Sequence, residues 1–80
     1  MLFRSETYNG WKNYQTWNVA LYIQNEFDLY QLAKQYRKNG YSWFVRMLAR
    51  RGVTHTADGV CYADKRVSRR EMNWMFKELR

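Results

Sequence analysis

Hydrophobic side chains recur along most of this chain every three or four residues, the spacing of helices that bury one face. Over residues 13–24 they cover almost the whole circumference, which is typical of a buried helix. The same spacing predicts helices near 26–38, 42–51 and 69–79. The apolar stripes predict a core in which the following side chains are largely buried: Trp17, Leu21, Leu32, Tyr36, Phe44, Met47, Leu48, Met72 and Phe76.

Asn or Ser stands at the start of each predicted helix, and its side-chain oxygen can cap the first turn. The chain has no proline, so the helix ends depend on such capping residues and on glycine. Asn13, Asn25, Ser42 and Ser68 occupy these positions. Ser68 is followed three residues later by Glu71, which predicts a capping box at the start of the last helix.

Residues 53–63 leave the helical spacing and place β-branched residues on both sides of an Asp58-Gly59 turn. This pattern predicts a short two-stranded hairpin. A chain of 80 residues fits one domain. The sequence therefore predicts a mainly α fold: a small single domain over residues 1–80, with about four helices and a short β-hairpin before the last helix.

The composition favours a cytoplasmic protein. Four Trp, seven Tyr and four Phe provide enough apolar surface for a core without covalent cross-links. Cys61 is the one cysteine, so no intramolecular disulfide can form. The first residues lack the apolar stretch of a signal peptide, and no apolar run is long enough to span a bilayer. We therefore expect no membrane contact.

The formal net charge of +7 is unevenly distributed. Residues 1–33 have a balance of −1, and residues 34–80 have a balance of +8. Such a field attracts polyanions, of which nucleic acid is the commonest and an acidic protein surface another. The candidate nucleic-acid contacts are the basic residues of this half and one indole: Lys34, Arg37, Lys38, Arg46, Arg50, Arg51, Lys65, Arg66, Arg69, Arg70 and Trp74.

Aromatic residues at two places are candidates for stacking on bases. Trp74 lies on the side of the last helix opposite its apolar stripe, so we expect its ring to be exposed. Tyr8, Trp11, Tyr14 and Trp17 recur every three residues, which suits either a stacking surface or an aromatic core. The apolar residues that follow them favour the core.

Residue types that carry catalysis are sparse. His55 and Cys61 flank the predicted turn and could face each other, but no orienting acid accompanies them. One histidine and one cysteine cannot provide the four ligands of a structural zinc site. The isolated glycines form no phosphate-binding loop. We therefore expect a protein that binds rather than catalyses, without cofactor or metal.

The segment YNGWKNYQTWNVALYIQ, residues 8–24, resembles a family of small uncharacterised proteins from bacteriophages, cyanophages among them, and from some bacterial genomes. The resemblance continues through DLYQLAKQY (28–36) and ADGVCYADKRVSRREMNWMF (57–76). It implies a phage origin and the host cytoplasm, and no activity. Members of the family that it resembles often carry an acidic residue where this chain has Trp74, and many are less basic. The charge-based hypothesis of nucleic-acid binding therefore concerns this member rather than the family.

Three functions follow as hypotheses. The first is a domain that binds nucleic acid, mainly through backbone phosphates. The second is a host-directed inhibitor that binds an acidic host protein surface. The third is a structural or assembly subunit that oligomerises through surplus aromatic residues. The sequence leaves the oligomeric state open.

Overall fold

A computed structural model describes residues 8–79. The secondary-structure elements within this range are all helices. Four α-helices occur where the spacing predicts them, which confirms the mainly α fold. A one-turn 3-10 helix follows the second α-helix. The elements are α1 (Tyr14–Asn25), α2 (Phe27–Gln35), the 3-10 helix (Arg37–Asn39), α3 (Tyr41–Arg50) and α4 (Arg69–Glu78).

Two of the four predicted N-caps are confirmed. The side chain of Asn13 accepts a hydrogen bond from the N–H of Thr16 at 2.9 Å. That of Ser68 accepts one from the N–H of Glu71 at 3.2 Å. The capping box is incomplete, because the Glu71 carboxylate instead accepts the N–H of Lys12 at 2.8 Å.

The predictions of Asn25 and Ser42 as N-caps are wrong. α1 continues through Asn25, and Glu26 precedes α2 without a side-chain hydrogen bond. α3 begins one residue before Ser42, with Gly40 in the N-cap position. α2 is also shorter than the predicted 26–38, because the backbone leaves the helical conformation at Tyr36 (φ −114°, ψ 26°).

The centre of the core is an aromatic contact between α3 and α4. The rings of Phe44 and Phe76 meet edge to face, with centroids 5.2 Å apart. The ring of Tyr41 lies 5.9 Å from that of Phe76, also edge on. α1 packs on α2 and on α4 and contributes the fully buried Val19 and Ile23.

Most of the predicted core is confirmed. Five of the predicted side chains are buried: Leu32, Phe44, Leu48, Met72 and Phe76. Three are half-buried: Trp17, Tyr36 and Met47. The prediction that Leu21 is buried is wrong, since 36% of it is exposed. At about 100° per residue, Leu21 lies roughly 160° from the buried Ile23, on the outer side of α1.

The segment before α4 forms a turn that is closed by one antiparallel pairing, between His55 and Cys61. Beyond it, the N–H of Tyr62 donates to the carbonyl of Thr54 at 2.9 Å. The hydroxyl of Tyr41 donates a hydrogen bond to the carbonyl of Tyr62 at 2.5 Å. Over residues 8–79 no strand forms, so the predicted two-stranded hairpin is not confirmed.

No helix within the described residues is long and apolar enough to cross a membrane.

Candidate functional site

A surface pocket lies where the 3-10 helix, the start of α3 and the outer face of α4 meet. It has a volume of about 540 Å³ and is lined by Arg37, Lys38, Gly40, Asn73 and Lys77. None of these lining residues is acidic. Three basic side chains from two distant parts of the sequence therefore surround one concave surface, which we call the basic pocket.

Gly40 and Asn73 hold the two walls of the basic pocket together. Gly40 has φ 87° and ψ 168°, a combination essentially restricted to glycine. The Oδ1 atom of Asn73 accepts a hydrogen bond from the N–H of Tyr41 at 2.7 Å. α4 thus provides the acceptor for the first amide of α3, which would otherwise lack one. This long-range cap explains why α3 starts before the predicted cap at Ser42.

Trp74 lies on the same face of α4 as one wall of the pocket. Its side chain is 61% exposed, as predicted, whereas Met72 is fully buried. Arg70 precedes Trp74 by four residues and Lys77 follows it by three, so all three are neighbours on the helix surface. Lys77 also lines the basic pocket, so the exposed indole lies on the helix surface beside a pocket residue.

The predicted basic face is divided by the fold. Arg46 and Arg50 are exposed on α3, and Arg51 follows at its C-terminal end. None of the three lines the basic pocket. Lys34 is half-buried at the end of α2, where its carbonyl accepts a hydrogen bond from the guanidinium of Arg37 at 3.4 Å.

Two residues of the second predicted cluster have partners within the protein. Arg66 forms an ion pair with Asp64 at 2.9 Å, and its hydrogen bonds lower the pKa of that carboxyl to about 2. The guanidinium of Arg69 lies 5.4 Å from the ring centre of Tyr41, within range of a cation–π interaction. Lys65 is exposed. Arg66 is therefore paired with an acidic residue, whereas the contact of Arg69 is with a neutral ring.

Sequence reasoning omitted Lys77 and Asn73 from the candidate site. Lys77 has a signal in the sequence, because it stands three residues after Trp74 on the same helical face. Asn73 has no such signal. Its role depends on the packing of α4 against the start of α3, 32 residues away along the chain.

The polar residues of the segment NYQTWN support the fold. The amide of Asn13 donates to the carbonyl of Arg66 at 2.7 Å. The hydroxyl of Thr16 accepts the N–H of Ser68 at 2.9 Å. These bonds fix the start of α1 to the loop that leads into α4, so the unusual composition of the segment has a structural explanation.

The N-terminal aromatic residues pack on one another. Asn9 and Gly10 form a tight turn with positive φ at both positions. The ring of Tyr8 then lies 4.9 Å from that of Trp17 and 5.4 Å from that of Tyr14. Tyr8 and Tyr14 remain 40% and 37% exposed, so this cluster covers the outer side of α1 at the surface rather than the core.

His55 and Cys61 are paired across the turn, as the sequence allowed. The Nδ1 atom of His55 lies 2.9 Å from the hydroxyl of Thr54. Cys61 is half-buried. In the part of the chain that is described, no group of three or more His, Cys, Asp or Glu side chains could hold a metal ion.

Fold and pocket together define a small helical protein with a cationic surface pocket. The chain belongs to a family of unknown function, DUF7249, whose model matches residues 4–80. No curated protein and no solved structure matches it. The family match spans all three segments on which the sequence resemblance rests, and it brings no activity with it.

Proposed function

We propose that this protein binds nucleic acid through the basic pocket and the adjoining face of α4, without catalysing a reaction. The observation that carries the proposal is the convergence of Arg37, Lys38 and Lys77 on one pocket. Cations brought together from separate elements, with no acid among the lining residues, suit an anionic ligand. Phosphates supply most of the binding energy in nonspecific complexes with nucleic acids.

The exposed indole favours single strands over duplex. Trp74 stands beside Arg70 and Lys77 on the outer face of α4, so a strand held by its phosphates would pass an aromatic surface. An unpaired base can stack on such a ring, and stacking tolerates any base because each has a π face. In a duplex the bases are already stacked on each other.

Fluorescence anisotropy with labelled single-stranded DNA and RNA, at several salt concentrations, tests the proposal. Affinity should fall steeply with salt, because bound phosphates release counterions. Replacing Arg37 and Lys77 by Gln should flatten the slope of log affinity against log salt, by roughly 0.7 for each phosphate that the variant no longer neutralises. Replacing Arg46 and Arg50 by Ala measures the contribution of α3 in the same way.

Arg66→Gln is the matched control, because its charge is already paired with Asp64. It removes one formal charge, as each pocket substitution does, and should leave the salt slope nearly unchanged. No binding by a folded sample at low salt would overturn the nucleic-acid proposal.

A second candidate is a host-directed inhibitor, which would offer the same cations to an acidic host protein. The resemblance to bacteriophage proteins favours this candidate and a host-cytoplasm setting. Pull-down from host lysate, with and without nuclease, separates the two functions. A protein partner retained after nuclease treatment supports the inhibitor.

A third candidate is an assembly subunit. It is favoured by Phe27, whose side chain is 72% exposed at the start of α2, and by the exposed rings of Tyr8 and Tyr14. Sedimentation over a range of protein concentrations tests it. A monomer at every concentration rules out self-assembly.

A further inference from the structure

We infer that the basic pocket is a site for a phosphate monoester, the group that ends a phosphorylated nucleic-acid strand or is carried by a mononucleotide. The inference rests on the proposed function and specifies what the pocket takes. In this arrangement the interior of a strand binds along the outer face of α4, and its phosphorylated end binds in the basic pocket.

Charge is the first argument. A phosphate monoester carries about −1.5 to −2 charges at pH 7 and presents three terminal oxygens. A phosphodiester carries one charge and has two free oxygens. Arg37, Lys38 and Lys77 place three cations around one pocket, which matches the monoester better.

Size is the second argument. A terminal phosphate is small enough to enter a surface pocket by itself, without the rest of the strand. The volume of about 540 Å³ falls within the range of roughly 300–1,000 Å³ that is usual for small-ligand sites. It is large enough for a phosphate with its sugar.

The donors that line the pocket are the third argument. A lysine ammonium and an arginine guanidinium both bind phosphate, the first as a point charge and the second as a planar fork. The side-chain oxygen of Asn73 already accepts the N–H of Tyr41. The side-chain nitrogen of Asn73 is therefore the atom that can donate a hydrogen bond to a ligand. The N–H of Tyr41 is engaged in this bond, so it is not a donor for the ligand.

The position of Trp74 completes the site. It lies three residues before Lys77, so the two residues are neighbours on the surface of α4. The last base of a strand has one unstacked face. With its phosphate in the pocket, that base can stack on the indole.

The experiment compares one oligonucleotide sequence in three forms: with a 5′-phosphate, with a 3′-phosphate, and with hydroxyl at both ends. One phosphorylated form should bind about tenfold more tightly than the hydroxyl form, as expected for added charge-assisted hydrogen bonds. The double variant R37Q/K77Q should lose this preference. The R46Q control should keep it, because Arg46 lies outside the pocket.

The dependence on pH gives a second readout. The second pKa of a phosphate monoester is about 6, so the preference should shrink as the pH falls from 7 to 5. Lysine and arginine side chains as a class stay charged over this range. A preference that does not change over this range would contradict the inference.

The outcomes separate the inference from the proposed function. Equal binding of all three oligonucleotides, with normal salt dependence, overturns the monoester site and leaves nucleic-acid binding intact. If no oligonucleotide binds, inorganic phosphate and a nucleoside monophosphate are tested by thermal shift. Stabilisation that R37Q/K77Q abolishes then supports the monoester site alone, and no stabilisation overturns it. Circular dichroism melts confirm that each variant folds.

Discussion

The side-chain oxygen of Asn18 accepts a hydrogen bond from the hydroxyl of Thr56 at 2.7 Å, and both residues are buried. The Asn18 nitrogen donates to the carboxylate of Asp58 at 2.8 Å. The Thr56 hydroxyl in turn accepts the N–H of Val60 at 3.1 Å. The side chain of Asn18, in the middle of α1, therefore links this helix by hydrogen bonds to the turn that precedes α4.

Asn18→Ala should lower the free energy of unfolding by about 1–3 kcal/mol, because it leaves buried polar groups without partners. Urea denaturation measures this. Asn25→Ala, at the exposed end of the same helix, is the control and should stay within about 0.5 kcal/mol of the parent. A decrease of the same size in both variants would show that the Asn18 network adds little.

Tyr41→Phe should also lower the free energy of unfolding by about 1–3 kcal/mol. The variant keeps the ring contact with Phe76 but removes the hydroxyl that donates to the carbonyl of Tyr62. Tyr8→Phe, at a 40% exposed ring, is the matched control and should have little effect. Equal stability of Tyr41→Phe and the parent protein would contradict the prediction.

Asp64 should titrate near pH 2 rather than at its ordinary pKa of 3.8, because its carboxylate accepts hydrogen bonds from Arg66. The folded-state pKa is the lower one, so the stability that this pair contributes is present above pH 3.8. It is lost as the pH falls towards 2. NMR titration of the carboxyl carbon measures the pKa directly, and Arg66→Gln should raise it towards 3.8. No change in that variant would show that another group is responsible.

Trp74→Ala should weaken binding to single strands by about 1–3 kcal/mol and affect duplex binding less. The fold should be unaffected, because the side chain is 61% exposed. Phe27→Ala removes an aromatic ring that is 72% exposed on another helix and should leave both affinities unchanged. Equal weakening for single strand and duplex would argue against stacking.

His55→Ala and Cys61→Ala should each leave nucleic-acid binding and any cellular phenotype intact, because neither residue is assigned a chemical role. Anisotropy and complementation of a deletion strain are the measurements. Loss of the phenotype in a variant that remains folded would reopen the possibility of catalysis.

The sequence predicts the helices well because the spacing of apolar residues is a local property of the chain. It fails where a contact comes from far away. Ser42 has the chemistry of a cap, yet Asn73 supplies the acceptor from α4. Leu21 is as apolar as Ile23, but only the packing of α1 on its neighbours determines which of the two faces the core.

The same limit applies to the candidate site. Charge asymmetry identifies Arg37 and Lys38 as candidate contacts, and helical geometry identifies Trp74 as exposed. The meeting of those cations with Lys77 depends on tertiary packing. The contact of Arg69 with the ring of Tyr41 also depends on tertiary packing, whereas Asp64, the partner of Arg66, is only two residues away in the sequence.

The Asn73 cap has a thermodynamic consequence. The walls of the basic pocket are joined only when α4 is docked against the start of α3, so a ligand that needs both walls has no site in the unfolded chain. Such a ligand stabilises the native state by mass action, by about 2.7 kcal/mol at a concentration one hundred times its dissociation constant. The melting temperature therefore reports how much of the pocket is occupied, and a library of phosphorylated compounds can be ranked by the shift that each one causes.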